Sequence, residues 1–132
     1  MLIIGHRGAS GLAPENTLES LRAGLAAGAD MLEFDVRLTA DNVPVLSHDA
    51  RLHGQTVSRT TLANLQKAGA VTLLQDVLEE FFGKIMLNLE YKPSTGADII
   101  YKMLKKYTKI NDDWDAIIIC RSVFEHYFNS GV

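Results

Sequence analysis

The feature that most constrains this fold is a predicted strand in which every second residue is charged. From Leu32 to Leu38, apolar residues alternate with Glu33, Asp35 and Arg37. A period of two is typical of a β-strand with one apolar face and one polar face. The polar face of this strand therefore carries two carboxylates, with roughly 6–7 Å between their Cα atoms.

Strand-like and helix-like segments alternate along the chain. Strands are predicted at residues 2–6, 31–38, 85–91 and 116–120, with a short extended piece at 43–46 and a loop at 47–57. Helices are predicted from Pro14 to a stop at Gly28, at 60–68, at 73–82 with a capping box that begins at Thr72, at 97–107 and at 123–129. This order predicts a parallel sheet with right-handed crossovers.

Carboxylates on the strands of a parallel sheet need an explanation, because such sheets are usually apolar on both faces. Glu33, Asp35 and Glu90 fit a barrel, in which the carboxyl ends of the strands point side chains into the active site. The alternative, an edge strand with surface carboxylates, is disfavoured because the apolar residues between them need a covering helix layer. A complete barrel takes ~250 residues, so the 132 residues and four strands predict about half a barrel, a single partial domain over residues 1–132.

Composition excludes several classes of protein. The net charge of −3 argues against a nucleic-acid partner, which usually binds a clustered basic surplus. No apolar run reaches the ~18 residues of a transmembrane segment, and no signal peptide is recognised at the start. The single Cys120 excludes an intrachain disulfide and a cysteine-based zinc site. We expect a cytoplasmic domain.

The paired carboxylates of the charged strand predict a metal site. Glu33 and Asp35 repel each other unless a cation lies between them. Hard oxygen ligands, without cysteine or suitably spaced histidine, favour Ca²⁺ or Mg²⁺ over zinc. Glu90 is the candidate third ligand. Taken alone, such a pair is usually only surface charge.

Two histidines follow predicted strands and are candidates for proton transfer. His6 and His48 suit paired general acid and base catalysis near neutral pH. Arg7 has the fork geometry to hold a phosphate oxygen, and a salt bridge with Glu33 or Asp35 is the compatible alternative. His53 and His126 are interpreted as ordinary structural residues.

Five motifs resemble one enzyme family in their order and spacing. They are His6-Arg7-Gly8, Pro14-Glu15-Asn16-Thr17, Glu33-Phe34-Asp35-Val36, Ser47-His48-Asp49 and Asn88-Leu89-Glu90-Tyr91-Lys92. Together they resemble the glycerophosphodiester phosphodiesterases over residues 1–93.

The resemblance implies a TIM-type βα-barrel and metal-dependent hydrolysis of glycerophosphodiesters, such as glycerophosphocholine, to an alcohol and sn-glycerol 3-phosphate. It implies that the glycerol 2-hydroxyl attacks phosphorus in line, giving a cyclic phosphate that water then opens. Roles carry over by position: acid and base for His6 and His48, metal ligands for Glu33, Asp35 and Glu90, and phosphate contacts for Arg7 and Lys92. Asn16 and Thr17 are expected to organise the first loop and the helix start.

Half a barrel leaves two open apolar edges, at the first and last predicted strands. Exposed edges recruit pairing partners, so we expect a homo-oligomer, most simply a two-fold dimer that completes the barrel. Two other functions stay open: a truncated, non-catalytic remnant that binds metal or phosphate, and a related cyclising phospholipase.

Overall fold

The computed structural model describes residues 1–111 and 117–119. Its strands are β1 Ile4–Gly5, β2 Met31–Leu38, β3 Pro44–Leu46, β4 Arg51–Leu52, β5 Gln55–Thr56, β6 Met86–Tyr91 and β7 Ile117–Ile119. Its helices are α1 Leu18–Ala26, α2 Leu62–Ala68, α3 Leu74–Phe81 and α4 Ala97–Asn111, with a 3₁₀ turn at Val57–Arg59. The helix predicted at 123–129 lies outside the described residues.

The main sheet confirms the predicted parallel α/β arrangement. Its strands lie in the order β1-β2-β6-β7, and every neighbouring pair in this order is parallel. The extended piece at 43–46 is a fifth strand, β3, which runs antiparallel to β2. Val36 of β2 pairs with both Leu46 of β3 and Tyr91 of β6, so β3 lies on the β1 side of β2.

The apolar face of β2 lies in the main core, where Leu32, Phe34 and Val36 are fully buried. Residues of the helices and of β6 complete this cluster, among them Leu21, Leu74, Val77, Leu78, Phe81, Leu87, Leu89, Ile100 and Leu104. In a smaller cluster, Val45 of β3 packs with Val57 of the 3₁₀ turn and Leu65 of α2. Because side chains alternate along a strand, the charged residues of β2 and β6 occupy the opposite face. None of the helices described is both long and apolar enough to cross a membrane.

Helix α1 begins later than the sequence indicated. Thr17, and not Pro14, caps the helix: its hydroxyl oxygen accepts a hydrogen bond from the Ser20 amide at 3.1 Å and donates one to the Pro14 carbonyl. The predicted stop is confirmed, since the helix ends at Ala26, just before Gly28. The N-cap role fits the preference of threonine for that position.

The capping box predicted for α3 does not form. The N-cap residue is Leu73, and no side chain caps the helix. The Thr72 carbonyl instead accepts a hydrogen bond from the Leu46 amide at 2.9 Å, and Leu73 forms a β-bridge with Val45. Pairing with β3 therefore holds these residues in an extended conformation, which overrides the local capping signal.

Part of the predicted loop at 47–57 is a small hairpin. Strands β4 and β5 pair in antiparallel fashion around His53 and Gly54. Both turn residues have positive φ, 53° and 77°, as the two-residue hairpin turn of type I′ requires. The His53 ring nitrogen Nε2 lies 2.6 Å from the Ala70 carbonyl oxygen, which ties the hairpin to the segment before α3.

Candidate active site

Strand register brings the three predicted acidic residues together. Glu33 pairs with Asn88 and Asp35 pairs with Glu90, so the carboxylates of β2 and β6 share one face of the sheet. One carboxylate oxygen from each of Glu33, Asp35 and Glu90 lies within 4.8 Å of the others. Glu33 is 7% exposed and Asp35 is 1% exposed. The Glu90 side chain is 39% exposed, so the group combines two nearly buried carboxylates with one that is open to solvent.

The electrostatics of this group suit a hard cation. Glu33 Oε1 and Asp35 Oδ1 are buried and accept no hydrogen bond. Burial raises the pKa of Glu33 most; the Arg7 amide acts against this shift, and the charges of Asp35 and Glu90 add to it. A cation with oxygen ligands at ~2.3–2.6 Å can bind atoms up to roughly 5 Å apart on opposite sides. The residues present thus fit a divalent ion by donor type, spacing and unsatisfied oxygens.

The loop between β1 and α1, residues 6–17, is called the first loop here. It carries His6 and Arg7 next to the carboxylates. The Arg7 amide donates to Glu33 Oε2 at 3.0 Å, and His6 Nε2 lies 3.6 Å from the same oxygen. The His6 side chain is 67% exposed, so it lies at the open side of the site.

The guanidinium group of Arg7 has two acidic neighbours. Nη1 lies 2.6 Å from Glu15 Oε2, and Nε lies 3.6 Å from Asp35 Oδ2. A salt bridge with Glu33 or Asp35 is the second role that the sequence predicts for Arg7, and the one with Asp35 is present. This role is compatible with phosphate binding. The Arg7 side chain remains 24% exposed, which leaves part of the guanidinium group accessible.

Asn16 contacts a predicted metal ligand, which sequence reasoning missed. Its Nδ2 donates to Asp35 Oδ2 at 3.1 Å, and its Oδ1 accepts from the Asp35 amide at 3.1 Å. Asn16 is 6% exposed. The motif Pro14-Glu15-Asn16-Thr17 singled the residue out, but the expected role was confined to the first loop. No local pattern indicates a contact with a strand 19 residues away.

His48 follows β3 and is held by its neighbours. Its Nδ1 lies 2.8 Å from Asp49 Oδ1, so Nε2 is the ring nitrogen left for the predicted proton transfer. Its backbone carbonyl accepts two hydrogen bonds from Arg37, at 3.2 Å from Nε and 2.8 Å from Nη2. Arg37 lies on the charged face of β2. Its hydrogen bonds to the His48 carbonyl are a second contact that the sequence does not predict. The Ser47 amide also donates to the Asp35 carbonyl at 3.0 Å.

Lys92 places positive charge beside two of the carboxylates. Its Nζ lies 2.9 Å from Glu90 Oε1 and 3.5 Å from Asp35 Oδ1. The hydrogen bond from Lys92 is the main reason that the pKa of Glu90 is lowered, and His48 adds a smaller effect in the same direction. The hydrogen bond from the Ser47 amide to the Asp35 carbonyl places the loop after β3 close to the acidic group.

A cleft of about 420 Å³ opens beside these residues, between the first loop and the segment after β3. Asn16, His48 and Asp49 line it together with residues of the hairpin. A somewhat larger cavity of about 480 Å³ lies between Gln55, Arg59 and Lys67, and none of the predicted site residues lines it. The smaller cleft is therefore the one that adjoins the candidate chemistry.

Comparison with protein families gives one match over most of the chain. The model of the "Glycerophosphoryl diester phosphodiesterase family" matches residues 6–129. YqiK of Bacillus subtilis, named as an uncharacterized protein, is 39% identical over 144 aligned residues, which cover 94% of this chain and 58% of YqiK.

Solved structures give the same result. A glycerophosphodiester phosphodiesterase from Thermotoga maritima is 36% identical, with a TM-score of 0.73 over 80% of this chain and 50% of that one. A phosphodiesterase from Oleispira antarctica, solved with the product sn-glycerol-3-phosphate, is 30% identical, with a TM-score of 0.64 over 83% of this chain and 52% of that one. The chain thus spans about half the length of these three relatives, and its sheet corresponds to part of the barrel of the solved structures.

Proposed function

The chain belongs to the glycerophosphoryl diester phosphodiesterase family, and from this premise we propose that it hydrolyses glycerophosphodiesters to an alcohol and sn-glycerol 3-phosphate. The observation that carries the proposal is the group of three carboxylate oxygens within 4.8 Å of one another, flanked by the loops of His6 and His48. The product bound to the phosphodiesterase from Oleispira antarctica supports the same chemistry. Deacylated phospholipid head groups such as glycerophosphocholine are the proposed substrates, which would give the chain a part in lipid and glycerol metabolism.

The proposed cofactor is a divalent cation, Ca²⁺ or Mg²⁺, held by Glu33, Asp35 and Glu90. Both ions prefer oxygen ligands, and the spacing of the carboxylates is compatible with either. When bound, the cation would offset negative charge on the phosphoryl oxygens. Arg7 and Lys92, the two cationic residues beside the carboxylates, are the proposed phosphate contacts.

His6 and His48 are the proposed pair for proton transfer. One neutral imidazole takes the proton from the glycerol 2-hydroxyl as that oxygen attacks phosphorus, and one imidazolium donates a proton to the leaving alkoxide. Water then opens the resulting cyclic phosphate with the two roles reversed. The hydrogen bond between His48 Nδ1 and Asp49 supports this role for His48, because it fixes the orientation of the ring.

The test is release of sn-glycerol 3-phosphate from glycerophosphocholine by the purified chain, with Mg²⁺ or Ca²⁺ and with EDTA. We expect release that EDTA abolishes, and a loss of ~10²–10⁴-fold in kcat for His6→Ala and for His48→Ala. Lys102→Ala is the control, because Lys102 is an exposed residue of α4 and takes no part in the proposed chemistry. Full turnover by His6→Ala would show that its role is wrong.

The same assay, combined with cation titration and identification of the phosphate product, separates the alternatives. A chain that binds divalent cations and releases no product would be a non-catalytic member that keeps the metal site. Accumulation of the cyclic phosphate as the final product would indicate a cyclising phospholipase.

A homodimer is the proposed assembly, and residues 1–132 are proposed as a single partial domain. In the described part of the chain, β1 pairs with β2 on one side only. Leu2, Ile3 and Ile4 are 59%, 53% and 47% exposed, so this edge is apolar and open to pairing. A second copy would cover either the open edge or the inner, charged face of the sheet. The cytoplasmic location stays a prediction.

A further inference from the structure

The two carboxylates of β2 share an asymmetry between their oxygens. Asp35 Oδ2 accepts a hydrogen bond from Asn16, and Glu33 Oε2 accepts one from the Arg7 amide. The other oxygens, Asp35 Oδ1 and Glu33 Oε1, are buried and accept no hydrogen bond. In each carboxylate, therefore, one oxygen accepts a hydrogen bond from the first loop and the other oxygen accepts none.

Asn16 fixes Asp35 at two points. The carboxamide donates through Nδ2 to the side chain of Asp35 and accepts through Oδ1 from its backbone amide, both at 3.1 Å. The amide of Asn16 itself donates to the Arg7 carbonyl at 3.0 Å. The Asn16 carboxamide thus contacts both the backbone amide and the side chain of Asp35. These contacts restrict rotation of the Asp35 carboxylate, because turning it would break the hydrogen bond from Asn16 Nδ2.

The backbone of Asn16 is adapted to this contact. Its φ is 55°, in the left-handed region that asparagine adopts more readily than most residues. The side chain is almost completely buried, so its hydrogen bonds are not exchanged for water. The orientation of Lys92, 3.5 Å from Asp35 Oδ1 and 2.9 Å from Glu90 Oε1, indicates that the remaining oxygen of Asp35 faces Glu90.

We propose that Asn16 is a positioning residue of the cation site, whose carboxamide holds Asp35 Oδ2 so that Oδ1 is presented to the divalent ion. The inference rests on the cation site proposed above. It differs from a role in folding the first loop, because it requires that loss of the carboxamide weaken cation binding in a chain that remains folded. Groups that orient metal ligands typically contribute 10–100-fold to metal affinity.

The test is calorimetric titration of the full chain with Mg²⁺ and with Ca²⁺, comparing Asn16→Gly with Asn42→Gly. Glycine accepts the positive φ at either position, 55° and 61°, so both variants keep the backbone conformation and lose one carboxamide. We expect Asn16→Gly to raise the Kd by ~10–100-fold and the exposed control Asn42→Gly to leave it unchanged. Thermal unfolding in EDTA checks that both variants fold.

The outcomes distinguish this inference from the proposed function. If the natural chain binds neither cation, the metal site itself fails and the role of Asn16 fails with it. If the natural chain binds a cation and Asn16→Gly binds it equally well, only the role of Asn16 is overturned. A crystal structure of the natural chain with Ca²⁺ gives an answer that does not depend on any variant: we expect Asp35 to bind the ion through Oδ1 while Oδ2 stays on Asn16, and an ion on Oδ2 would overturn the inference.

Discussion

Glu33 and Asp35 are two acidic residues that are nearly buried. Keeping their charges there lowers the stability of the folded chain. The raised pKa of Glu33 is one expression of that cost, since burial and the neighbouring carboxylates disfavour its charged form. The hydrogen bonds from Arg7 and Asn16 and the ammonium group of Lys92 offset part of it. The acidic group therefore lowers the stability of the chain, a cost that the proposed cation would offset.

The first prediction concerns the stability that a bound cation adds. Mg²⁺ or Ca²⁺ at 100 times its Kd should stabilise the chain by about 2.7 kcal/mol, seen as a higher Tm. Glu33→Gln should lose this increase because the amide is a poorer ligand, and should have a Tm in EDTA at least equal to that of the natural chain because one buried charge is gone.

Glu79→Gln, an exposed change on α3 that retains an acceptor for Tyr107, is the matched control and should keep the full increase. Differential scanning fluorimetry with and without EDTA measures all three proteins. An undiminished increase in Glu33→Gln would remove Glu33 from the ligand set.

Sequence reasoning at this scale succeeded where strand geometry decides the outcome. The shared face of Glu33 and Asp35 follows from the period of two, and the approach of Glu90 follows from parallel strands that end at one edge. The contact between Asn16 and Asp35 could not be predicted in this way, because it depends on a left-handed residue in a loop. The hydrogen bonds between Arg37 and the His48 carbonyl likewise depend on the pairing of β3 with β2, which no local pattern predicts.

The first loop lies so close to α1 at Gly8 that a side chain there would clash with the helix. Gly8 has a φ of 84°, and a Cβ there would lie 2.6 Å from the Ser20 carbonyl carbon and 2.7 Å from the Leu21 amide nitrogen. The Ala9 amide donates to Ser20 Oγ at 2.7 Å, and Ser20 Oγ donates to the Arg7 carbonyl at 2.8 Å. The loop that carries His6 and Arg7 is therefore fastened directly to the beginning of α1.

The second prediction follows from this contact. Gly8→Ala should lower the free energy of unfolding by on the order of 3 kcal/mol, since it combines backbone strain with a clash against the backbone of α1. Gly11→Ala in the same loop meets no atom within 4 Å and should change stability by less than ~0.5 kcal/mol. Urea denaturation followed by circular dichroism measures both, and equal stability of the two variants would contradict the prediction.

The third prediction concerns alkaline pH and the contact between α3 and α4. The Tyr107 hydroxyl donates to Glu79 Oε1 at 2.9 Å, and its ring lies 5.6 Å from that of Phe82. Burial, with help from Glu79, raises the pKa of Tyr107 from 10.0 to about 12. The folded state therefore retains this proton where the unfolded state loses it, so the stability involved is present below pH 10 and is lost as pH rises from 10 to 12.

Tyr107→Phe removes this titration. The free energy of unfolding, measured by urea denaturation at pH 8, 10 and 11, should fall less steeply for the variant than for the natural chain. Burial also raises the pKa of Tyr91 to about 12, and Tyr91 is present in both proteins, so only the difference between their slopes reports on Tyr107. Identical slopes would contradict the assignment.

Local signals at this scale were reliable for the existence of elements and poor for their ends. The sequence gives α3 a capping pattern at Thr72, yet pairing with β3 uses the backbone of Thr72 and leaves Leu73 as the N-cap. It also gives no sign that β3 runs antiparallel to β2. Both features depend on contacts between segments distant in sequence, which a pattern of residues does not contain.

For the whole molecule, the half-barrel follows from the number of strands and the length of the chain. Across residues 1–111 and 117–119, residues of α1, α3 and α4 pack on the apolar side of the main sheet, while on the charged side the first loop covers Asp35 and Leu65 of α2 packs against Val45 of β3. The proposed dimer would use the exposed apolar residues beside β1.

The fourth prediction tests that assembly. The natural chain should form a dimer at micromolar concentration, and Ile3→Lys, which places a charge on the open edge, should shift it to monomer. Leu12→Lys is the matched control, since Leu12 is also apolar and 70% exposed but lies in the first loop. Size-exclusion chromatography with light scattering measures the mass, and a well-folded natural monomer would rule the dimer out.

The register between β2 and β6 has a consequence for how this chain tolerates insertions and deletions. Asp35 stands opposite Glu90 only because the two strands are aligned residue for residue, and adding or deleting one residue within either strand would turn the following side chains towards the helices. The exposed turn at Gly83, between α3 and β6, carries no such constraint, since a Cβ there would meet no atom within 4 Å. Changes of length should therefore be accepted at that turn and rejected in β2 and β6, which makes the turn the place to graft a tag or a reporter.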